Sequence, residues 1–198
     1  MTGIDLFPIR CMVEERSEPL SKDELKYLSE IEMHHNGSFL LSNEDHILEH
    51  KRFSSIKKFI EKSLNKYMDE VLHSPYKLRI TTSWLNIEQN GMSHPRHNHQ
   101  NSFLSGVFYF TDIGKSPLHV YNPHPKLWDY DPQTYNVVNS YEWSLPLVKN
   151  SCVIFPSTLE HAVQVHNDPE TDRFSLAFNS FFDSDIGSEK SRTTLTFS

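Results

Sequence analysis

Apolar residues recur at three- and four-residue spacing in two stretches of the N-terminal third, which predicts two amphipathic helices. The first covers about residues 20–32 and begins at a capping box, in which Ser21 and Glu24 bond to each other's backbone. The second covers about residues 55–72. Its apolar positions are Ile56, Phe59, Ile60, Leu64, Tyr67, Met68, Val71 and Leu72. A stripe of this length must pack on another layer, and we expect that layer to be a β-sheet.

Beyond Pro75 the pattern changes to short β-rich runs that are separated by Gly, Pro and Asn. Seven strands are predicted, at about residues 77–88, 104–110, 118–121, 141–147, 151–155, 162–166 and 174–182. Seven short strands after a helical N-terminal third predict a mainly β fold, a sandwich or barrel with helices packed on one face.

A long polar segment separates the third and fourth of these strands. Residues 122–140 carry three prolines and are predicted to form a loop, and loops of this length are typically lids or binding loops. The aromatic residues Trp128, Tyr130 and Tyr135 would suit a partly apolar or stacking substrate, although packing explains aromatic residues equally well.

The length of 198 residues predicts one domain. Within it we expect a helical support region over about residues 1–75, a β core over about residues 76–182 and a polar C-terminal tail over residues 183–198. Two cysteines cannot form a disulfide framework or a thiolate metal site on their own, and Cys152 is expected to be a buried apolar residue.

Charge and hydropathy limit the kinds of partner. A formal net charge of −7 argues against a nucleic-acid partner. No apolar run approaches the roughly 20 residues that cross a bilayer, and the N-terminus lacks the basic and apolar regions of a leader. We therefore expect a cytoplasmic protein with no membrane partner. An exposed sheet edge could pair two copies in a homodimer.

Candidate metal ligands lie in the middle of the chain. His97 and His99 are two residues apart, so in an extended segment both face the same side, and His161 begins a predicted strand further on. The chain has twelve histidines, so this pair alone is a weak signal. It is strengthened by Arg173 and Ser175 on the last strand, because a guanidinium fork binds a carboxylate through two hydrogen bonds.

Other ligand sets are less consistent with the sequence. A closed structural zinc site needs Cys and His at short spacing, and no cysteine lies near these histidines. His94 is a rival ligand, but it precedes a proline and could instead cover the entrance of the site. We rank it below His97 and His99.

These motifs resemble the 2-oxoglutarate- and Fe(II)-dependent dioxygenase superfamily, and within it the small oxygenases of bacteria and phages. The resemblance covers about residues 80–182. The residues that carry it are Trp84-Leu85-Asn86, Pro95-Arg96-His97-Asn98-His99, Ser105-Gly106-Val107-Phe108-Tyr109, Phe155-Pro156-Ser157, His161 and Arg173-Phe174-Ser175-Leu176-Ala177-Phe178-Asn179.

The resemblance implies a double-stranded β-helix, the cupin-like jelly roll, with Fe(II) bound in its mouth and 2-oxoglutarate as co-substrate. It implies His97 and His161 as iron ligands. The co-substrate contacts that it implies are Arg173 and Ser175 at the distal carboxylate, Tyr109 as a further contact to that carboxylate, and Asn86 near the keto-acid end. Aromatic packing is the alternative role for Tyr109.

His99 departs from the family pattern, because most of the superfamily has Asp or Glu at this position. A neutral imidazole in place of a carboxylate leaves one more positive charge on the metal centre. We expect His99 to be the third ligand. Two alternatives stay open: a carboxylate such as Glu160, or a water, completes the site, or the position has lost ligation altogether.

The function that follows is the hydroxylation of a small-molecule or peptide substrate with Fe(II), O2 and 2-oxoglutarate. One alternative is a cupin-like metalloenzyme that uses three histidines without 2-oxoglutarate. Another is a non-catalytic jelly-roll binding or structural protein.

Overall fold

Both predicted helices are present in the computed structural model, which describes residues 3–4, 6–113, 117–124 and 131–196. Helix α1 (Lys22–Glu30) begins at the predicted capping box: Glu24 N donates to Ser21 Oγ at 3.1 Å, and Ser21 N donates to Glu24 Oε2 at 2.7 Å. Helix α2 (Ser54–Lys66) follows two short 3-10 turns and continues into a π-helical turn, Tyr67–Val71.

The strands form two antiparallel sheets, which confirms the mainly β fold with N-terminal helices. The described residues contain β1 (Met12–Glu15), β2 (Met33–His35), β3 (Leu40–Ser42), β4 (Leu78–Glu88), β5 (His94–His97), β6 (Leu104–Tyr109), β7 (Leu118–Tyr121), β8 (Glu142–Ser144), β9 (Ser151–Pro156), β10 (His161–Val163) and β11 (Arg173–Phe182). The large sheet has the order β1-β9-β6-β11-β4-β3-β2, and the small sheet has the order β5-β10-β7-β8.

Seven of these strands were predicted, and four were not. Strands β8 and β10 are shorter than predicted, whereas β7 has the predicted bounds. The sequence pattern missed β1, β2, β3 and β5, each of three or four residues, because such a run has too few alternations to show a period of two. The N-terminal third therefore supplies three strands of the large sheet as well as the helices.

Alternating side chains of the large sheet point into two apolar layers, one on each face of the sheet. On one side α2 packs on the sheet through Ile56, Ile60, Leu64, Leu85, Phe108, Ile154 and Leu176. On the other side a smaller cluster, which includes Val107, Tyr109, Val153, Phe155 and Val163, fills the space between the two sheets. Neighbouring residues of β6, such as Val107 and Phe108, belong to opposite layers, as the pleat of a strand requires.

Gly106 permits the close approach of two central strands. A Cβ at this position would lie 2.5 Å from the backbone oxygen of Val153 and would overlap the ring of Phe178.

Cys152, on the same side of the sheet as α2, is fully buried as expected, and burial raises the pKa of its thiol far above the ordinary value.

The remaining regions lie outside the two sheets. Trp128 and Tyr130 of the predicted loop are outside the described residues, and Tyr135 is exposed. Within the described part of the tail, Ile186 and Thr193 form an isolated antiparallel bridge. Neither α1 nor α2, nor any other helix in the described ranges, has the length and apolar character needed to span a membrane.

Candidate metal centre and co-substrate pocket

The small sheet brings two of the predicted metal ligands face to face. Strands β5 and β10 are antiparallel with His97 opposite His161, and their ring centroids are 4.3 Å apart. His99 lies just after β5, where its backbone N donates to Ser157 O at 2.9 Å. The ligand atoms of the three histidines lie within 4.8 Å of one another, and no other such group of His, Cys, Asp or Glu occurs among the residues that the structure describes.

Backbone carbonyls orient two of the imidazole rings. His97 Nδ1 donates to Pro95 O at 2.8 Å, and His161 Nδ1 donates to Leu159 O at 2.9 Å. A carbonyl oxygen can only accept, so each Nδ1 carries the proton and each Nε2 keeps its lone pair. This is how proteins commonly fix the tautomer and orientation of a metal-ligating histidine.

Burial keeps the three imidazoles neutral. Desolvation lowers the pKa of His161 to about 3 and that of His99 to about 4, and it also lowers the pKa of His97. Coulombic repulsion from His97 lowers the pKa of the other two further. Because only neutral imidazole binds a metal, the three side chains are ready to ligate at neutral pH.

His94 is packed behind this group. Its ring is stacked between Phe39, at a centroid distance of 4.0 Å, and His97, at 4.4 Å. Burial, followed by the charges of the neighbouring histidines, lowers the pKa of His94 to about 3. The structure places His94 as a stacking neighbour of His97 and outside the group of three that could hold a metal.

These lowered pKa values predict that the metal-free protein loses stability on mild acidification. Between pH 6.5 and about pH 4 the histidines bind protons in the unfolded state and resist them in the folded state, so the free energy of unfolding falls as the pH falls. Thermal unfolding after chelation, measured from pH 7.5 to pH 4.5, checks this slope. His94→Phe keeps the stack on Phe39 and removes one titrating group, so its slope should be shallower; an unchanged slope would contradict the argument.

Glu160 does not offer the carboxylate that would replace His99 as a ligand. It is an exposed side chain that forms an ion pair with Arg96, whose guanidinium also donates to Tyr141 Oη at 2.7 Å. Glu160 is also absent from the group that could hold a metal. These contacts favour His99 over Glu160 as the third ligand.

The predicted co-substrate residues share the inward face of the large sheet. Strand β11 lies between β4 and β6, and Ser175 is in register with Asn86 on one side and Tyr109 on the other. Arg173, two residues before Ser175, is on the same face. The histidines, Asn86, Arg173 and Ser175 line one cavity, which lies between the two sheets.

Several buried polar atoms of this face have no hydrogen-bond partner among the described residues. They are Arg173 Nε, Tyr109 Oη, Asn86 Oδ1 and Glu88 Oε1. Arg173 lies over the ring of Tyr109, 5.1 Å from its centroid, and burial keeps the phenol protonated by raising its pKa well above the ordinary value. Unpaired buried groups carry a free-energy cost, so the arginine and phenol donors fit an anionic ligand that would accept from them.

The structure adds a residue that the sequence analysis missed, Glu88. Its carboxylate accepts a hydrogen bond from Arg173 Nη1 at 2.5 Å, and both side chains are about 1% exposed. Although burial opposes the charged form, Glu88 and Tyr109 raise the pKa of Arg173 above its ordinary value. The alternation of side chains along β4 would have indicated this position, because Glu88 is two residues beyond Asn86 and faces the same cavity.

Comparison with protein families gives one match. The family model described as "Putative 2OG-Fe(II) oxygenase" matches residues 82–179, a segment that contains all of the predicted metal and co-substrate residues. No curated protein sequence matches this chain.

Solved structures resemble the chain over most of its length. HygX from Streptomyces hygroscopicus, solved with nickel, 2-oxoglutarate and hygromycin B, has a TM-score of 0.61 and 12% identity, and the match covers 87% of this chain and 82% of HygX. The α-ketoglutarate-dependent epimerase SnoN has a TM-score of 0.60 and 12% identity, with 89% and 80% covered. A Pseudomonas putida prolyl-4-hydroxylase has a TM-score of 0.58 and 12% identity, with 88% and 92% covered. At these identities the likeness is one of fold, and it confirms the jelly roll.

Proposed function

We propose that this chain, which belongs to the superfamily of 2-oxoglutarate- and Fe(II)-dependent oxygenases, hydroxylates a small-molecule or peptide substrate with His97, His99 and His161 as its metal ligands. The chain is an oxidoreductase by this membership, and this favours the enzymatic alternatives over a non-catalytic one. The observation that carries the ligand assignment is the convergence of three neutral imidazoles beside the cavity that Arg173 lines.

The donor set fits Fe(II) in a site with open positions. Three nitrogen ligands on one side of a metal leave room for a co-substrate, a substrate and O2. Fe(II) and 2-oxoglutarate, when bound together, supply the electrons that activate O2 for hydroxylation. The backbone bonds at Pro95 and Leu159 hold His97 and His161 with Nε2 available for the metal. The protein thus contributes orientation and a neutral set of ligands.

The co-substrate residues fit a dicarboxylate. Arg173 would hold the distal carboxylate with its unpaired Nε, and Tyr109 and Ser175 would donate hydroxyl hydrogens to it. Asn86, one strand further along the same register, would contact the keto-acid end. Burial makes these hydrogen bonds effective, because competing water is excluded and the charges are weakly screened.

The substrate would approach from the side of the small sheet. Two aromatic side chains are exposed there: Tyr141, which immediately precedes β8, and Trp143, which lies within it. Arg96 is on β5, the strand that carries His97. Its guanidinium lies over the ring of Tyr121 and donates a hydrogen bond to Tyr141, so it connects β5 to this aromatic surface. Among the structural relatives, HygX was solved with hygromycin B and another is a prolyl-4-hydroxylase, which is consistent with both proposed substrate classes.

Anaerobic titration tests the proposed function. Adding Fe(II) and then 2-oxoglutarate to the purified protein should produce a weak visible charge-transfer band that Fe(II) alone does not give. The same titration of His97→Ala should give no band. If the unmodified protein shows no band at millimolar 2-oxoglutarate, the co-substrate assignment is wrong, and a cupin-like enzyme that works without 2-oxoglutarate becomes the better account.

A further inference from the structure

We infer that Glu88 sets the charge of the co-substrate pocket and thereby weakens the binding of 2-oxoglutarate. This inference rests on the proposed function, because it takes the cavity of His97, His161 and Arg173 as the place where the co-substrate binds. It concerns a residue that neither the family resemblance nor the fold assigns to the site.

Glu88 is the only acidic residue among the described residues that line the cavity. The three proposed ligands are histidines, and an imidazole that binds a metal is neutral, so they bring no negative charge to the metal. A divalent metal and Arg173 together bring three positive charges, and Glu88 reduces this to two. That total is matched by the two negative charges of 2-oxoglutarate at neutral pH. Without Glu88 the occupied pocket would hold an uncompensated positive charge.

Glu88 lies where its negative charge would repel a carboxylate of the co-substrate. Its carboxylate holds Nη1 of Arg173 at 2.5 Å, and the pair is almost completely buried. A second carboxylate that binds the remaining donors of Arg173 would therefore lie close to that of Glu88. Like charges at such a separation repel strongly in a buried site.

In the empty pocket the same residue stabilises the fold. A buried guanidinium without a partner is strongly destabilising, and Glu88 supplies its only ion pair among the described residues. Glu88 thus stabilises the protein without co-substrate and lowers its affinity for the co-substrate. A residue that merely positioned Arg173 would raise that affinity, so the sign of the effect on binding separates the two roles.

Glu88→Gln tests this inference. The variant keeps the side-chain length and removes the charge, and we expect the Kd of 2-oxoglutarate for the Mn(II)-loaded protein to fall about tenfold in calorimetry. The Tm of the variant without ligand should fall, because Arg173 loses its counter-ion. Glu88→Asp, which retains the charge, should leave the Kd within a few fold of the original value.

Glu24→Gln is the matched control. Glu24 forms a second buried ion pair with an arginine, Arg16, at 3.0 Å, and neither Glu24 nor Arg16 lines the cavity. This variant should lower the Tm and leave the Kd of 2-oxoglutarate unchanged. Glu88→Met, a second uncharged variant, should give the same tightening if the glutamine variant does not fold.

The outcomes are distinct. Tighter binding in Glu88→Gln with an unchanged Kd in Glu24→Gln supports the inference. An unchanged or higher Kd in Glu88→Gln overturns it and leaves the proposed function intact, because the unmodified protein would still bind Mn(II) and 2-oxoglutarate. If the unmodified protein binds neither, the proposed function fails and the inference fails with it.

Discussion

Replacing His161 with alanine is expected to abolish stoichiometric metal binding. The side chain is buried between the two sheets, and it presents Nε2 because Nδ1 is bonded to the Leu159 carbonyl. Loss of an outer-shell partner of a metal ligand typically costs 10- to 100-fold in affinity, so loss of a ligand should weaken binding by at least about 100-fold. Calorimetric titration of the chelated protein with Mn(II) measures the effect.

His166→Ala provides the matched control for this experiment. His166 is also a buried histidine, its Nε2 donates to the backbone oxygen of Thr171, and neither residue lines the cavity of the proposed ligands. Its substitution should lower stability and leave the metal affinity unchanged. Equal losses of affinity in the two variants would show that the His161 effect reflects general destabilisation, and the ligand assignment would then lose its support.

Replacing Arg173 with alanine is expected to have the second large effect, on both stability and co-substrate binding. The substitution leaves Glu88 buried without its ion-pair partner, which should cost about 3–5 kcal/mol of unfolding free energy. It also removes the only cation that lines the cavity, among the described residues, so 2-oxoglutarate should no longer bind at millimolar concentration. Chemical denaturation and calorimetry measure the two effects separately.

A double variant separates the two effects of Arg173. Arg173→Met combined with Glu88→Met removes both charges and leaves no buried polar group unpaired, and replacement of a whole buried ion pair by apolar residues is often close to neutral for stability. The double variant should therefore unfold near the original denaturant concentration and still fail to bind 2-oxoglutarate. Binding that survives in the double variant would favour the cupin-like alternative, in which Arg173 has no role in the reaction.

Much of the fold could be predicted because its central elements are long enough to show their periods. The β-rich runs of β4, β6 and β11 were found with bounds within one residue. The apolar stripe predicted a helix to about residue 72, whereas α2 ends at Lys66 and continues as a π-helical turn to Val71. Strand β5 was missed because four residues with a proline carry little pattern. Its pairing with β10 comes from tertiary contacts that bring distant segments of the chain together.

The residues proposed to bind the metal and the co-substrate could be predicted from the sequence, but the negative charge that Glu88 adds to the pocket could not. The spacing of His97, His99 and His161, together with Arg173, indicated the chemistry, and the structure brings these residues to one cavity. Glu88 carried no motif of its own, because its importance depends on a register with Arg173 across two strands that are far apart in sequence. The sequence also left Glu160 open as a ligand, and the structure argues against that role because Glu160 pairs with Arg96 and lies outside the group that could hold a metal.

The most direct test of the account is a crystal structure of the protein with Mn(II) and 2-oxoglutarate. The central claim is that His97, His99 and His161 together hold the metal. We expect metal density bonded to a nitrogen of each of the three imidazoles, with the distal carboxylate of 2-oxoglutarate on Arg173. A metal bound by His97 and His161 with His99 turned away, or a pocket that stays empty at saturating ligand, would contradict it.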